Sequence, residues 1–374
     1  MTGKRMAQGK RLLSIDTLRG LDMIFIMGLA ELVVCICELF PGGSDCALAM
    51  QMHHAAWNGL RHHDTIFPLF LFIAGMTFPF SYAKQLERGA TRPQVYRKIL
   101  TRALVLVLLG MVYNGLFELD WGNLRCASVL GRIGVAWALA AVLYVNCPVK
   151  ARAVIALAIL VGYWLLVAYV PAPDAPPGEG PLTLDGCIVG YVDRLLLPGR
   201  LHNGNFDPEG ILSTLPAVVT AMLGMFTGEF VRIPDEKIPG GKKTLMMMGA
   251  AAVMAVAGLV WSTVFPINKR LWTSSFTLVV GAFSLFCYAL VYYIVEVRGL
   301  TGWTLPFRVI GLNSITIYLA QRIIPLEGVS EFFLGGLAGL LPGSWGSVLL
   351  AAGYLLVSWL LLYFLYRQKI FLKV

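Results

Sequence analysis

Long apolar runs recur from near the first residue to near the last, separated by short segments where charge, proline and glycine collect. Each run is about 20 residues, the length an α-helix needs to cross the hydrocarbon core of a bilayer. The pattern predicts spans near residues 17–40, 64–83, 103–118, 129–147, 152–170, 210–231, 244–264, 273–295, 308–325 and 346–366. Closed backbone hydrogen bonding in lipid requires these to be helices. The expected fold is an all-α, polytopic transmembrane helical bundle of about ten spans, with residues 1–374 as a single membrane domain. Lys4, Arg5, Lys10 and Arg11 precede the first run as in a signal peptide, but that run is long and carries Asp22, Glu31 and Glu38. It reads as a retained first span.

An even number of spans puts both termini on one side, and the cations say which. Lys84, Arg88, Arg92, Arg97, Lys98 and Arg102 follow the second span, Lys150 and Arg152 the fourth, and Arg232, Lys237, Lys242 and Lys243 the sixth, while Arg367, Lys369 and Lys373 close the chain. By the positive-inside rule these segments and both termini are cytoplasmic. Composition agrees: 57% of residues are hydrophobic, above the roughly 45–50% of a soluble domain, so lipid must cover part of the surface. The net charge of +9 is dispersed among the short connections. Orientation explains it, and no nucleic-acid partner is expected. The seven cysteines form no metal-type pair, and Cys46, Cys126 and Cys187 lie in outer connections where a disulfide has room to form.

Candidate chemistry concentrates in the outer segments. Two are long, 41–63 and 171–209, and long connections in compact proteins are commonly functional. The first carries His53, His54, Trp57, Asn58, His62 and His63, followed by Asp64. Imidazole takes and returns a proton near neutral pH, and a nearby carboxylate fixes its tautomer. His54 with Asp64 would supply that pair. Taken singly, the histidines and Trp57 also suit the membrane interface. Two adjacent histidine pairs separated by seven residues match no zinc pattern, and no metal is expected.

Ionisable groups inside the apolar runs form a second class of candidates, since each is costly unless paired or facing a cavity. Asp16, Arg19, Asp22, Glu31 and Glu38 lie along the first run. Asp22 is one turn from Arg19, the spacing of an ion pair on one helix face. Glu31 has no local partner in sequence. Arg132, Glu229, Asn313 and Arg322 repeat the pattern further on. Together they point to a polar cavity through the bundle, and a phosphate-rich ligand would meet Lys and Arg at its cytoplasmic mouth.

Several motifs carry a family resemblance. Ser14-Ile15-Asp16-Thr17-Leu18-Arg19-Gly20-Leu21-Asp22, His54-Ala55-Ala56-Trp57-Asn58-Gly59 and the run from Asp64 to Gly75 are similar to those of the heparan-alpha-glucosaminide N-acetyltransferase family, most of all its bacterial branch. The likeness continues through Val129–Gly134, Asp207–Pro216, Pro266–Ser274 and Gly311–Tyr318. It implies an integral protein of the bacterial inner membrane that takes acetyl-CoA from the cytoplasm and acetylates the amine of a glucosamine-type sugar or glycan on the far side. It also implies contact with lipid and a homodimer, although no helix face in the sequence demands a dimer. The family's active-site histidine falls on His54. Its asparagine late in the first span is replaced by Ala30 and Glu31, so the acceptor or the proton relay differs here.

On this reading His54 is the general base or a transient acetyl carrier, and Asp64 orients it. Trp57, Asn58, Glu31, Arg132 and Asn313 are the expected substrate contacts. The rival from another class is a sugar or oligosaccharide transporter without acyl transfer, which buried charges and long outer loops also describe.

Overall fold

A computed structural model describes residues 12–372, and among them the secondary structure is helical apart from two isolated bridges, Arg125 with Gly199 and Pro171 with Cys187. Eight helices are long and apolar enough to cross a membrane. In chain order the helices are α1 (Leu13–Cys37), α2 (His62–Glu87), α3 (Arg92–Tyr113), α4 (Val129–Asn146), α5 (Val149–Tyr169), α6 (Ile188–Leu196), α7 (Thr214–Val231), α8 (Gly240–Trp261), α9 (Ser274–Val297), α10 (Leu305–Leu312), α11 (Ser314–Ile323), α12 (Leu326–Ala338) and α13 (Trp345–Arg367). The ten spans expected from hydropathy thus become eight clear ones and two special cases. Helix α3 begins with Arg92, Arg97, Lys98 and Arg102, which lower its apolarity. The run near 308–325 breaks at Asn313 (φ −123°, ψ 27°) into α10 and α11.

Local sequence sets the helix ends. Thr91 and Gln94 form a reciprocal cap at the start of α3, and the Ser128 hydroxyl accepts from the Gly131 N–H at 3.0 Å to start α4. Helix α2 is capped by Asp64, whose Oδ2 accepts the Arg61 N–H at 3.1 Å. Helix α1 widens into a π-type turn over Phe25–Leu29, where Gly28 adopts φ 136°. A side chain there would meet the Tyr354 ring of α13 at 2.8 Å, so glycine is required by both conformation and space.

Helices α2 and α7 form the centre: 61% and 67% of their most apolar segments are buried, against 22% for α8 and α13 at the lipid-facing perimeter. They approach backbone to backbone. A Cβ on Gly75 would lie 2.1 Å from the Ala221 carbonyl oxygen, and one on Gly224 2.0 Å from that of Phe72. Such small-residue contacts are how helices pack when lipid supplies no hydrophobic drive between them. Gly75→Ala is therefore expected to part the two helices, at a cost of about 1–3 kcal/mol. Thermal unfolding in detergent measures it, and a midpoint equal to wild type would mean the two helices do not touch there.

One expectation about α1 is corrected. Arg19 reaches Asp16 at 3.7 Å, one turn upstream, while Asp22 Oδ2 is buried without a hydrogen-bond partner. The seven cysteines are all thiols; the Cys46 and Cys187 sulfurs accept backbone N–H groups, at 3.4 and 3.5 Å, at the starts of a further short helix, Ala47–Gln51, and of α6. Two other buried cations are paired: Arg152 holds both oxygens of Glu229 at 2.8 and 2.9 Å between α5 and α7, and Lys243 meets Asp235 at 2.6 Å.

Candidate active site

The N-terminal end of α2 gathers the candidate chemistry. Asp64 is almost fully buried, and besides capping the helix it accepts the Ala55 N–H at 3.1 Å and His54 Nδ1 at 2.8 Å. A carboxylate only accepts, so the 2.8 Å contact assigns a proton to Nδ1 and leaves Nε2 with the free lone pair. The His54 side chain is 53% exposed, so that lone pair is open to a substrate. One residue thus starts the helix and holds the base, which is why the loop before α2 cannot drift from it. Arg61 Nη1 donates to the His54 carbonyl at 3.1 Å, and the His63 ring meets the His54 ring edge-on at 4.6 Å.

The connection between α8 and α9 completes the cluster. Gly59 donates its N–H to the Ile267 carbonyl at 2.8 Å, and Asn268 Nδ2 donates to Asn58 Oδ1 at 3.1 Å. Lys269, the next residue, places Nζ 3.0 Å from His54 Nδ1, 3.4 Å from Nε2 and 3.4 Å from Asp64 Oδ1. Burial pushes this ammonium below the ordinary lysine value, against the upward pull of Asp64 and Glu209. Trp272 sits at φ 51°, a strained conformation for a bulky residue that the surroundings must enforce. Phe67 lies edge-on to its ring, and the Arg132 guanidinium covers it at 5.1 Å.

The structure places the other expected site residues as follows. Trp57 donates Nε1–H to the Leu182 carbonyl at 2.8 Å and meets the Phe206 ring, tying the segment 41–63 to the segment 171–209. Asn58 is exposed and shares its oxygen with Asn268. Arg132 is buried, donating to the Gly210 carbonyl at 3.3 Å and to the Ser213 hydroxyl. Glu31 is exposed on α1, with the Cys35 thiol 3.9 Å from its carboxylate. Asn313 is buried at the α10–α11 break, its Nδ2 without a partner. His54 and Asp64 therefore share one cluster, which the Trp57 and Asn58 loop braces, whereas Asn313 belongs elsewhere.

Near that break a cavity of about 320 Å³ lies between α1, α2, α3, α4, α10 and α11, with Phe371 and Leu372 also lining it. Leu312 and Ser314, the neighbours of Asn313, line it together with Arg19, Arg102 and Tyr318. Arg102 Nε is buried there without a hydrogen-bond partner, a donor left for a ligand. Sequence reasoning did not single out Lys269, Asn268, Arg102 or the Arg125 cluster. Lys269 and Arg270 lie in the connection between α8 and α9, and only the fold brings the first of them to His54.

These features define a helical, integral membrane protein with an imidazole, a carboxylate and an ammonium at the mouth of its bundle. Residues 11–259 match the family model described as heparan-alpha-glucosaminide N-acetyltransferase, catalytic. The chain belongs to that family. It is 27% identical to the Homo sapiens heparan-alpha-glucosaminide N-acetyltransferase, across 100% of this chain and 61% of the relative, and 26% identical to the Mus musculus protein of that name, across 99% and 61%. The chain thus spans about three-fifths of the length of these relatives.

Proposed function

We propose that the chain acts as one transmembrane acetyltransferase domain, moving an acetyl group from cytoplasmic acetyl-CoA to the amine of a glucosamine-type sugar across the bacterial inner membrane. The observation that carries the proposal is the His54–Asp64 pair, with Nδ1 anchored at 2.8 Å and the imidazole half exposed. His54 Nε2 takes a proton from the acceptor amine as its nitrogen attacks the thioester carbonyl. The C–N bond forms, the C–S bond breaks, and the thiolate leaves with a proton returned from the imidazole. Asp64 keeps the tautomer and supports the transient imidazolium. Trp57 and Asn58 wall the acceptor side, Glu31 attracts the amine, Arg132 stiffens the loop that presents Trp272, and Asn313 reaches the donor from the helix break. With both termini cytoplasmic, the cation-rich connections after α2 and α7 face the donor.

Release of CoA thiol by purified protein, with glucosamine, heparan fragments and muropeptides offered in turn, tests this reading. Thiol release that depends on an amino-sugar acceptor is the expected result. Uptake of labelled sugar into proteoliposomes with no acetylation would replace it with a transporter. The cavity at Arg19 and Arg102 is the place for the donor's phosphates. Arg102→Met is accordingly expected to weaken acetyl-CoA binding about tenfold, the effect of losing one charge-assisted hydrogen bond. Calorimetry reads it directly, and unchanged affinity would move the donor out of this cavity.

A further inference from the structure

Lys269 stands in an unusual relation to His54. Its Nζ lies 3.0 Å from one ring nitrogen and 3.4 Å from the other. The bonding directions of the two nitrogens diverge in the ring plane, so an atom nearly equidistant from both sits over the ring and lies along neither lone pair. Nδ1 already gives its proton to Asp64, and an ammonium has only protons to give. The contact is therefore one of charge and leaves Nε2 open. From the same place Nζ reaches Asp64 Oδ1 at 3.4 Å.

Charge counting shows what this arrangement does. A buried carboxylate alone beside an imidazole favours the imidazolium, because protonation completes a neutral ion pair. A base held in that form cannot accept a further proton. With Lys269 present the carboxylate already has its cation, and protonating His54 would leave a net positive cluster. The other groups facing the imidazole are the His63 ring from α2 and Arg61, whose guanidinium meets the His54 carbonyl. Neither supplies a second anion, and Glu209, whose charge reaches Lys269, is itself paired with Arg125.

We propose that Lys269 is the positioning residue that balances Asp64, so that His54 enters the reaction as a neutral imidazole with Nε2 free. Its placement is built into the fold: Asn268 Oδ1 accepts the Leu271 N–H at 2.9 Å, its backbone N–H binds Thr273 Oγ1 at 3.1 Å, and its amide clasps Asn58. The lysine is thus presented by a loop locked to the segment that carries the histidine. The inference draws its purpose from the acetyl-transfer reading, in which His54 must accept a proton, but its geometry stands independently.

Diethyl pyrocarbonate acylates neutral imidazole and spares imidazolium, so it reports the charge of His54 without any acetyl transfer. The measurement is the pH at which His54 is half as reactive as at its plateau, read by peptide fragmentation with the exposed His53 as internal reference. Removing a unit charge about 3–4 Å away shifts a solvated titration by about tenfold in proton concentration. In Lys269→Met the half-point is expected to rise in pH by that factor. Lys269→Arg should restore the wild-type value, and Asp64→Asn should move it the other way. Equal half-points in wild type and Lys269→Met, or the same displacement in Lys269→Met and Lys269→Arg, would overturn the proposal. A shift of the expected sign in a protein that acetylates no amino sugar would retain Lys269 in this role and remove the proposed function instead.

Discussion

His54→Ala is expected to lower acetyl-CoA-dependent acetylation of the amino sugar by about 10²–10⁴-fold, the usual worth of a positioned general base. The variant should remain folded, because His54 is half in solvent and contributes one side-chain hydrogen bond to Asp64. Asp64 keeps its bonds from Ala55, Arg61 and Lys269 when the imidazole is gone, so the cap of α2 survives. Acetyl-CoA affinity should also hold, since the Arg19–Arg102 cavity lies apart from the imidazole. The combination is diagnostic: turnover falls while donor binding and thermal stability stay at wild type. Wild-type turnover in folded His54→Ala protein would remove this residue from the chemistry. Asp64→Asn provides a contrast. It disturbs the helix cap as well as the base, so it should lose both activity and stability, the latter by about 1 kcal/mol.

The division of labour between sequence and fold follows from range. The apolar runs and the His54–Asp64 pair are local signals: ten residues separate the pair, and Asp64 sits three positions after Arg61 as its helix cap. Such short-range chemistry is legible in a single chain. Lys269 is 215 residues from His54, and its place in a connection between two apolar runs does not say which imidazole it meets. The Arg19–Asp22 pairing failed for a related reason. Spacing on a helix face says which partners are in reach, but packing chose Asp16 and left Asp22 Oδ2 buried. The span near 308–325 carried the right composition and hid its break, because Asn313 marks an interruption only once the bundle encloses it. Trp57 and Asn58 are expected to contact substrate, and only the fold shows that their polar atoms also bond Leu182 and Asn268.

Arg125→Ala is expected to destabilise the connections that carry Arg125 and Asp207 by about 3–5 kcal/mol, the cost of stripping a buried ion of its partner. Arg125 Nε and Nη2 hold both oxygens of Asp207 at 2.8 and 2.6 Å, and Nη2 also meets Glu209. Asp207 has no exposed side-chain surface. Burial pushes its carboxyl upward, but the Arg125 hydrogen bonds and charge, with the Glu209 and His202 N–H groups, outweigh that and hold it below the usual carboxylate range. A depressed carboxyl stabilises the fold above its unfolded value of about 4 and loses that contribution as pH falls through the folded value. Without Arg125 the direction reverses, since burial now favours the protonated acid. The stability gap between wild type and Arg125→Ala should therefore be widest near neutral pH and narrow as pH falls toward 5 and below. Adding Asp207→Asn to Arg125→Ala should recover part of the loss at neutral pH, and a double-mutant cycle isolates the pair. Thermal unfolding in detergent across that pH range is the measurement. A gap that stays constant with pH would mean that Asp207 is not held as a buried anion. The consequence reaches the active site through Glu209, whose charge also acts on Lys269. Freed from Arg125, the loop carrying Glu209 would loosen over the cluster at His54, so this variant should lose turnover as well as stability.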